Sequence, residues 1–258
     1  MMNIEPPLTS STPQFMYTVL QCMFLLAGLN PVPTPYGKFF SAARAKLSVP
    51  SRVGMVVIYL PAFVIACWWQ WNRTGETLAP PWGRLDVVNV LLMIHFGKRL
   101  LEVLFLHVYS GTLDLVQAMS VITMSYALNT HTILTSVASS PGFSSPSRVL
   151  GPGLFLYVFG QTMNFYHHYL LAALRKGKTL KKYMQPRGGL FDSTCCPHFF
   201  GEVIAWVGIA LISQHATVWL VAGGMTSYLL GRSKSTTRFY CQQVPSYKPS
   251  YHMIPYVF

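Results

Sequence analysis

Charge in this chain is almost confined to a few connecting segments, and that confinement limits what it can fold into. Of 258 residues, 52% are hydrophobic and only 10% charged, against about 25% charged in a soluble domain. The apolar residues gather into seven runs, at about 15–29, 53–71, 85–108, 115–137, 149–174, 198–213 and 216–230. A membrane-spanning helix takes ~20 apolar residues, and in lipid every backbone polar group must be paired within the protein. The runs therefore predict an all-α polytopic membrane protein, a seven-transmembrane-helix bundle. The first run is short for a span and fits by tilt or local thinning of the bilayer. Pro61 is expected to kink the second. Residues 1–14, polar and proline-rich, are expected as a disordered tail ahead of one domain over 15–258.

The formal net charge of +12 would suggest nucleic acid in a soluble protein. In a polytopic membrane protein, Lys and Arg instead hold loops in the cytosol. Of the 19, 14 fall in the first loop, in the linker between the fifth and sixth runs and in the C-terminal tail, and 3 in the intervening loops. The asymmetry predicts a cytosolic C-terminus, an N-terminus across the membrane, a lipid environment and no nucleic-acid partner. The five cysteines include an adjacent pair and are odd in number, so they form neither a disulfide framework nor a zinc spacing. No basic region opens the chain, and no cleaved signal is expected.

The last two cations, Lys98 and Arg99, lie inside the third run with His95, Glu102 and His107. Helical spacing puts residues 95, 98, 99 and 102 on one face. Ionisable groups at that depth are costly and face a cavity or one another; Arg99 and Glu102 are also one turn apart and can pair. A second polar seam runs from Asn164 to Glu202. Asn164, His168 and Arg175 recur at offsets of four and seven, and the basic linker that follows can hold a polyphosphate or serve topology alone. Gly188-Gly189 allows close backbone approach to a ligand or a simple turn. Glu202 is either a cavity polar group or a helix-start charge. His167-His168 invites a di-iron reading, but the other six histidines form no second cluster, and no metal is expected. Neither dinucleotide-type nor P-loop glycine signatures occur.

Five segments carry a resemblance: I-H-F-G-K-R-L-L-E-V-L-F-L-H, Q-P-R-G-G-L-F-D, C-P-H-F-F-G-E, G-R-S-K-S-T-T-R-F-Y and the closing I-P-Y-V-F. In this order they resemble the steroid 5α-reductase family, in its plant-like branch, which is also similar to very-long-chain enoyl-CoA reductases. The resemblance covers about 35–258, with the C-terminal family region at about 115–258. It implies a multi-pass oxidoreductase of the endoplasmic reticulum membrane. Such an enzyme uses NADPH to reduce a carbon–carbon double bond conjugated to a carbonyl in a lipid, a 3-oxo-4-ene steroid or a long-chain 2-enoyl thioester. Carried over to this chain, the cofactor positions are Arg99, Asn164, His168, Arg175, Tyr183, His198, Glu202, Arg232, Arg238 and Tyr240. Tyr59 and His95 are the catalytic candidates. The family's Glu in the second span is Tyr59 here, and its Tyr in the third is Phe96. Its Asp and Asn are His168 and His198, a frequently basic position is Met184, and its acidic tail segment reads Q-V-P-S-Y. These departures keep open an alternative, a catalytically impaired paralogue acting as a scaffold.

Overall fold

The computed structural model describes residues 4, 16, 17, 19, 47–73, 83–109, 111–117, 122–140, 148–176, 184–244 and 246–258. The N-terminal tail, nearly all of the first apolar run, most of the basic linker and Tyr183 lie outside these residues.

Six long helices make up the described chain: α1 (Ser51–Arg73), α2 (Arg84–Leu101), α3 (Met124–Ala138), α4 (Leu150–Arg175), α5 (Pro197–Ser213) and α6 (Ala216–Gln243). Two three-residue strands, β1 (Ser48–Pro50) and β2 (Thr112–Asp114), pair antiparallel. The fold is thus helical, as the composition required. α1 continues through Pro61. Among the described helices only α1, over Ser51–Asn72, is both long and apolar enough to cross a membrane by itself; α5 is apolar but shorter. α2 ends in a π-helical turn, Glu102–Leu106. Of the predicted fourth span, the described residues are a helical turn at Leu115–Gln117 and, after residues 118–121 outside the described set, the stretch leading into α3.

α2 and α4 run parallel in steady register. Tyr157 Oη donates to Leu91 O at 2.7 Å, Gln161 meets His95, Asn164 meets Lys98, and Arg175 Nη1 donates to Val108 O at 3.2 Å. α5 returns antiparallel along α4 at backbone contact. A Cβ on Gly160 would lie 2.4 Å from Ala205 N, one on Gly201 2.7 Å from Asn164 N, and one on Gly208 2.7 Å from Gly153 O. Gly153 and Gly160 on α4, like Gly201 and Gly208 on α5, stand seven residues apart, hence on one face, and small residues let helices close to this distance.

The α5–α6 hairpin turns at Gln214, which takes φ 49°. His215 then caps α6 by accepting from Thr217 N at 3.1 Å. α6 outruns its apolar stretch to Gln243, because buried Arg232, Ser233, Thr236 and Thr237 continue its packed face. The tail docks on the segment before α5 through Cys195 N to Tyr251 O and Cys196 N to His252 O, both 3.0 Å. His252 also reaches Thr237 Oγ1 at 3.1 Å. Burial, with the Lys234 and Arg238 charges nearby, holds the His252 imidazole below its usual range.

The start of α1, the end of α2, Arg175 and the tail dock therefore share one end of the bundle, joined by Ser51 Oγ to Gly111 O at 3.0 Å and Leu115 N to Leu47 O at 2.9 Å. The opposite, outward faces are apolar: Leu60, Val64 and Trp68 on α1, and Phe155, Phe159 and Phe165 on α4, are all exposed.

Candidate active site

The register of α2, α4 and α5 stacks the polar residues of three helices in two layers inside the apolar bundle. In the layer nearer the end where the tail docks, Glu102 is the hub. Its Oε2 accepts from Arg99 Nη1 at 2.8 Å and lies 3.0 Å from His168 Nδ1; its Oε1 stands 2.9 Å from Lys98 Nζ. The Lys98 contact is an ion pair without an aligned hydrogen bond. Lys98 also donates to Asn164 Oδ1. Asn164 Nδ2 donates in turn to His198 O at 2.8 Å and to Glu202 Oε2 at 3.4 Å. One turn further in, His95 stands between Gln161 (2.7 Å to Nδ1) and Glu202 (3.9 Å from Nε2).

Two cations and one carboxylate meet at a residue only 2% exposed. A buried charge survives there only when it is paired, and Glu102 pairs with both neighbours on its own helix. Glu102, His107 and His168 also bring ligand atoms within 4.8 Å of one another. Both carboxylate oxygens are already neutralised by Lys98 and Arg99, so fixed cations stand where a metal ion would.

Arg99 links the ionic layer to an aromatic wall. Its Nη2 donates to Tyr59 Oη at 2.7 Å, while its Nε is buried without an acceptor. Tyr59 stacks on Tyr126 at 5.6 Å, and Phe96 meets the same Tyr126 ring at 5.8 Å. Tyr59 and Phe96, two of the positions that differ from the pattern the sequence resembles, thus flank a single side chain of α3.

Of the carried-over cofactor positions, Arg99, Asn164, His168, His198 and Glu202 form one contact network. His198 contributes its carbonyl, and its ring lies 5.3 Å from that of His168. Arg175 sits two turns beyond His168 and reaches the chain after α2 rather than the network itself. Arg232 is buried, Arg238 is exposed beside His252, and Tyr240 packs on Tyr247 at 5.8 Å; all three lie on the last part of α6, where the tail docks. His167 is a clip instead: its Nδ1–H donates to Met163 O at 2.7 Å, and its Nε2 accepts from Leu190 N at 3.2 Å. Gly188 and Gly189, at φ 90° and 55°, make the turn that seats Leu190 there, so they turn the chain.

Sequence reasoning missed Gln161, although it shares the helical face of Asn164 and His168. It also missed the Lys98–Asn164 contact, which only the register of α2 against α4 reveals.

Comparison with known proteins bears on this architecture. A family model described as 3-oxo-5-alpha-steroid 4-dehydrogenase matches residues 131–258. The chain is 28% identical over 256 residues to 3-oxo-5-alpha-steroid 4-dehydrogenase 1 of Macaca fascicularis, covering 93% of this chain and 92% of that one. It is 27% identical to the Homo sapiens protein of that name over 83% and 82% of the two chains. A very-long-chain enoyl-CoA reductase of Dictyostelium discoideum is 30% identical over 139 residues, 53% of this chain and 45% of that one. The match runs through the helices that build the polar layers as well as the C-terminal region: the chain is similar to 3-oxo-5-alpha-steroid 4-dehydrogenases over nearly its whole length and is an oxidoreductase.

Proposed function

We propose that the protein is an NADPH-dependent membrane reductase of a carbon–carbon double bond conjugated to a carbonyl in a lipid, either a 3-oxo-4-ene steroid or a long-chain 2-enoyl thioester. The observation that carries this reading is Arg99. Its guanidinium is clamped by Glu102 and His168 on one side and meets Tyr59 Oη on the other. It thus connects an ionic layer suited to a cofactor with an aromatic wall suited to a lipid.

The donor set fits NADPH. Arg99 keeps a buried Nε–H without an acceptor, and guanidinium groups suit phosphate oxygens. Lys98 and Asn164 supply further donors, and Glu202 an acceptor, at the same level. The basic segments on either side of this end suit an anionic cofactor and support a cytosolic orientation. The outward phenylalanines of α4 and tryptophans of α1 support embedding in lipid. Endoplasmic reticulum membrane is the compartment that the family resemblance implies.

NADPH, when bound, would supply the hydride for the β carbon, and a solvent-derived proton at the α carbon completes the saturated product. The chain's own part is to orient, to exclude water and to stabilise the enolate oxygen. Tyr59, a phenol that accepts from Arg99 and can donate its own proton in a hydrogen bond, is assigned to the carbonyl. His95, deeper on the same side of α2, is assigned as a second donor. Donors of this kind are typically worth about 3–4 kcal/mol each in a dry site. Phe96, Tyr126 and Trp206 keep water away from the reacting carbons.

The deciding experiment is NADPH consumption by the purified protein in lipid over a panel of progesterone, testosterone, a long-chain 2-enoyl-CoA and a polyprenal. Reduction of one or more is expected; no NADPH binding in either detergent or lipid would sink the reading. Tyr59→Phe is expected to lower kcat by about 100-fold with cofactor affinity nearly unchanged, and normal turnover would remove Tyr59 from the mechanism. Arg175→Ala is expected to weaken NADPH binding by about tenfold, roughly one lost charge-assisted hydrogen bond. Titration of cofactor fluorescence checks this, and an unaltered affinity would confine Arg175 to its bond with Val108.

A further inference from the structure

The deeper polar layer holds a contact with a chemical consequence. Gln161 Nε2 lies 2.7 Å from His95 Nδ1. An amide nitrogen can only donate, so Nδ1 accepts and the ring proton sits on Nε2. The other side of the ring agrees: Nε2 faces Glu202 Oε1 at 3.9 Å, where a carboxylate favours an N–H over a lone pair. Turning the amide round would set two acceptors against each other across that gap. His95 is 3% exposed, and its ring is held edge-on by Phe96 at 5.0 Å and Trp206 at 5.3 Å. It cannot reorient without moving the core.

We propose that Gln161 is a positioning residue that locks His95 as its Nε2–H tautomer, so that the imidazole presents a donor, never a lone pair, to the Glu202 side of the site. The consequence for turnover rests on the reductase reading above and deepens it. A neutral imidazole held this way releases no proton. It acts as an electrophile, donating a hydrogen bond to negative charge that develops on oxygen, a role open to it only in this tautomer. The lone pair of Nδ1, which would otherwise compete for the ring proton, is occupied by the amide. Gln161, which also hydrogen-bonds Tyr157, touches no reacting atom and acts on the reaction through His95.

The test is 15N NMR of histidine-labelled full-length protein in lipid nanodiscs, with the His95 signals assigned by their loss in His95→Asn. The unsubstituted protein is expected to show the Nε2–H pattern. Gln161→Met, of similar length without the donor, is expected to move the pattern toward averaged tautomers. The same variant should lower kcat by about 10- to 100-fold, less than outright loss of an oxyanion donor, while NADPH affinity stays within about twofold. A purely packing role for Gln161 would leave the tautomer pattern unmoved. An Nδ1–H pattern in the unsubstituted protein overturns the proposal without need of any Gln161 variant, and so does a Gln161→Met protein with unchanged pattern and kcat. An Nε2–H pattern in a protein that reduces no enone would count against the reaction and leave the tautomer lock standing.

Discussion

Gly160→Val is expected to prevent α4 and α5 from docking and to leave little folded protein. A Cβ at that position would stand 2.4 Å from Ala205 N and 2.5 Å from Gly201 O. Both are backbone atoms of a packed helix, so no side-chain rotation can make room. Overpacking a core ordinarily costs about 1–3 kcal/mol; here the whole helix must shift, and the loss is expected to exceed that range. The consequences reach the site, because Asn164 lies one turn further along α4 and its backbone touches Gly201. Gly151→Ala is the matched control, an exposed position in the same helix with nothing within 4 Å of the added Cβ. Thermal unfolding and size-exclusion of the detergent-solubilised variants read the difference. Equal stability of the two would show that α4 and α5 do not meet as described.

Glu102→Gln is expected to cost about 3–5 kcal/mol, the range for removing one partner of a buried ion pair. Lys98 and Arg99 would be left facing each other in an apolar bundle, and His168 would lose its carboxylate partner at 3.0 Å. Burial at 2% exposure means that salt screens little of this. The second half of the prediction is non-additivity: adding Lys98→Met to Glu102→Gln should recover part of the loss, since one orphaned cation is removed with its carboxylate. A fall in melting temperature for the single variant, partly restored in the double, is the expected result. A single variant as stable as the parent would mean that the cluster is hydrated or otherwise screened.

Much of the helical layout was readable from composition and punctuation. The fifth and sixth apolar runs, 149–174 and 198–213, became Leu150–Arg175 and Pro197–Ser213, because polar residues stop an apolar helix where its packing stops. The seventh was underestimated. An apolar run ends at about 230, yet α6 continues to Gln243, held by buried small polar residues and the docked tail, and hydropathy is blind to both. Just ahead of the fourth run, β2 pairs with β1, a contact distant in sequence that hydropathy does not show.

The polar face of α2 was legible for a local reason: residues 95, 98, 99 and 102 share a side of any α-helix, and ionisable groups among leucines must find partners. Which partners they find is not local. Glu102 could have paired with Arg99 alone. The parallel register of α2 on α4 delivers His168 to the same oxygen and Asn164 to Lys98, and the glycine contact of α4 with α5 brings Glu202 to the level of Asn164 and His95. Those distances depend on how closely backbones approach, which is set by four glycines whose spacing is visible in the chain but whose partners are not. Periodicity thus determines which residues must turn inward to a shared interior, and the packing of three helices determines which of them touch and so what chemistry they can do together.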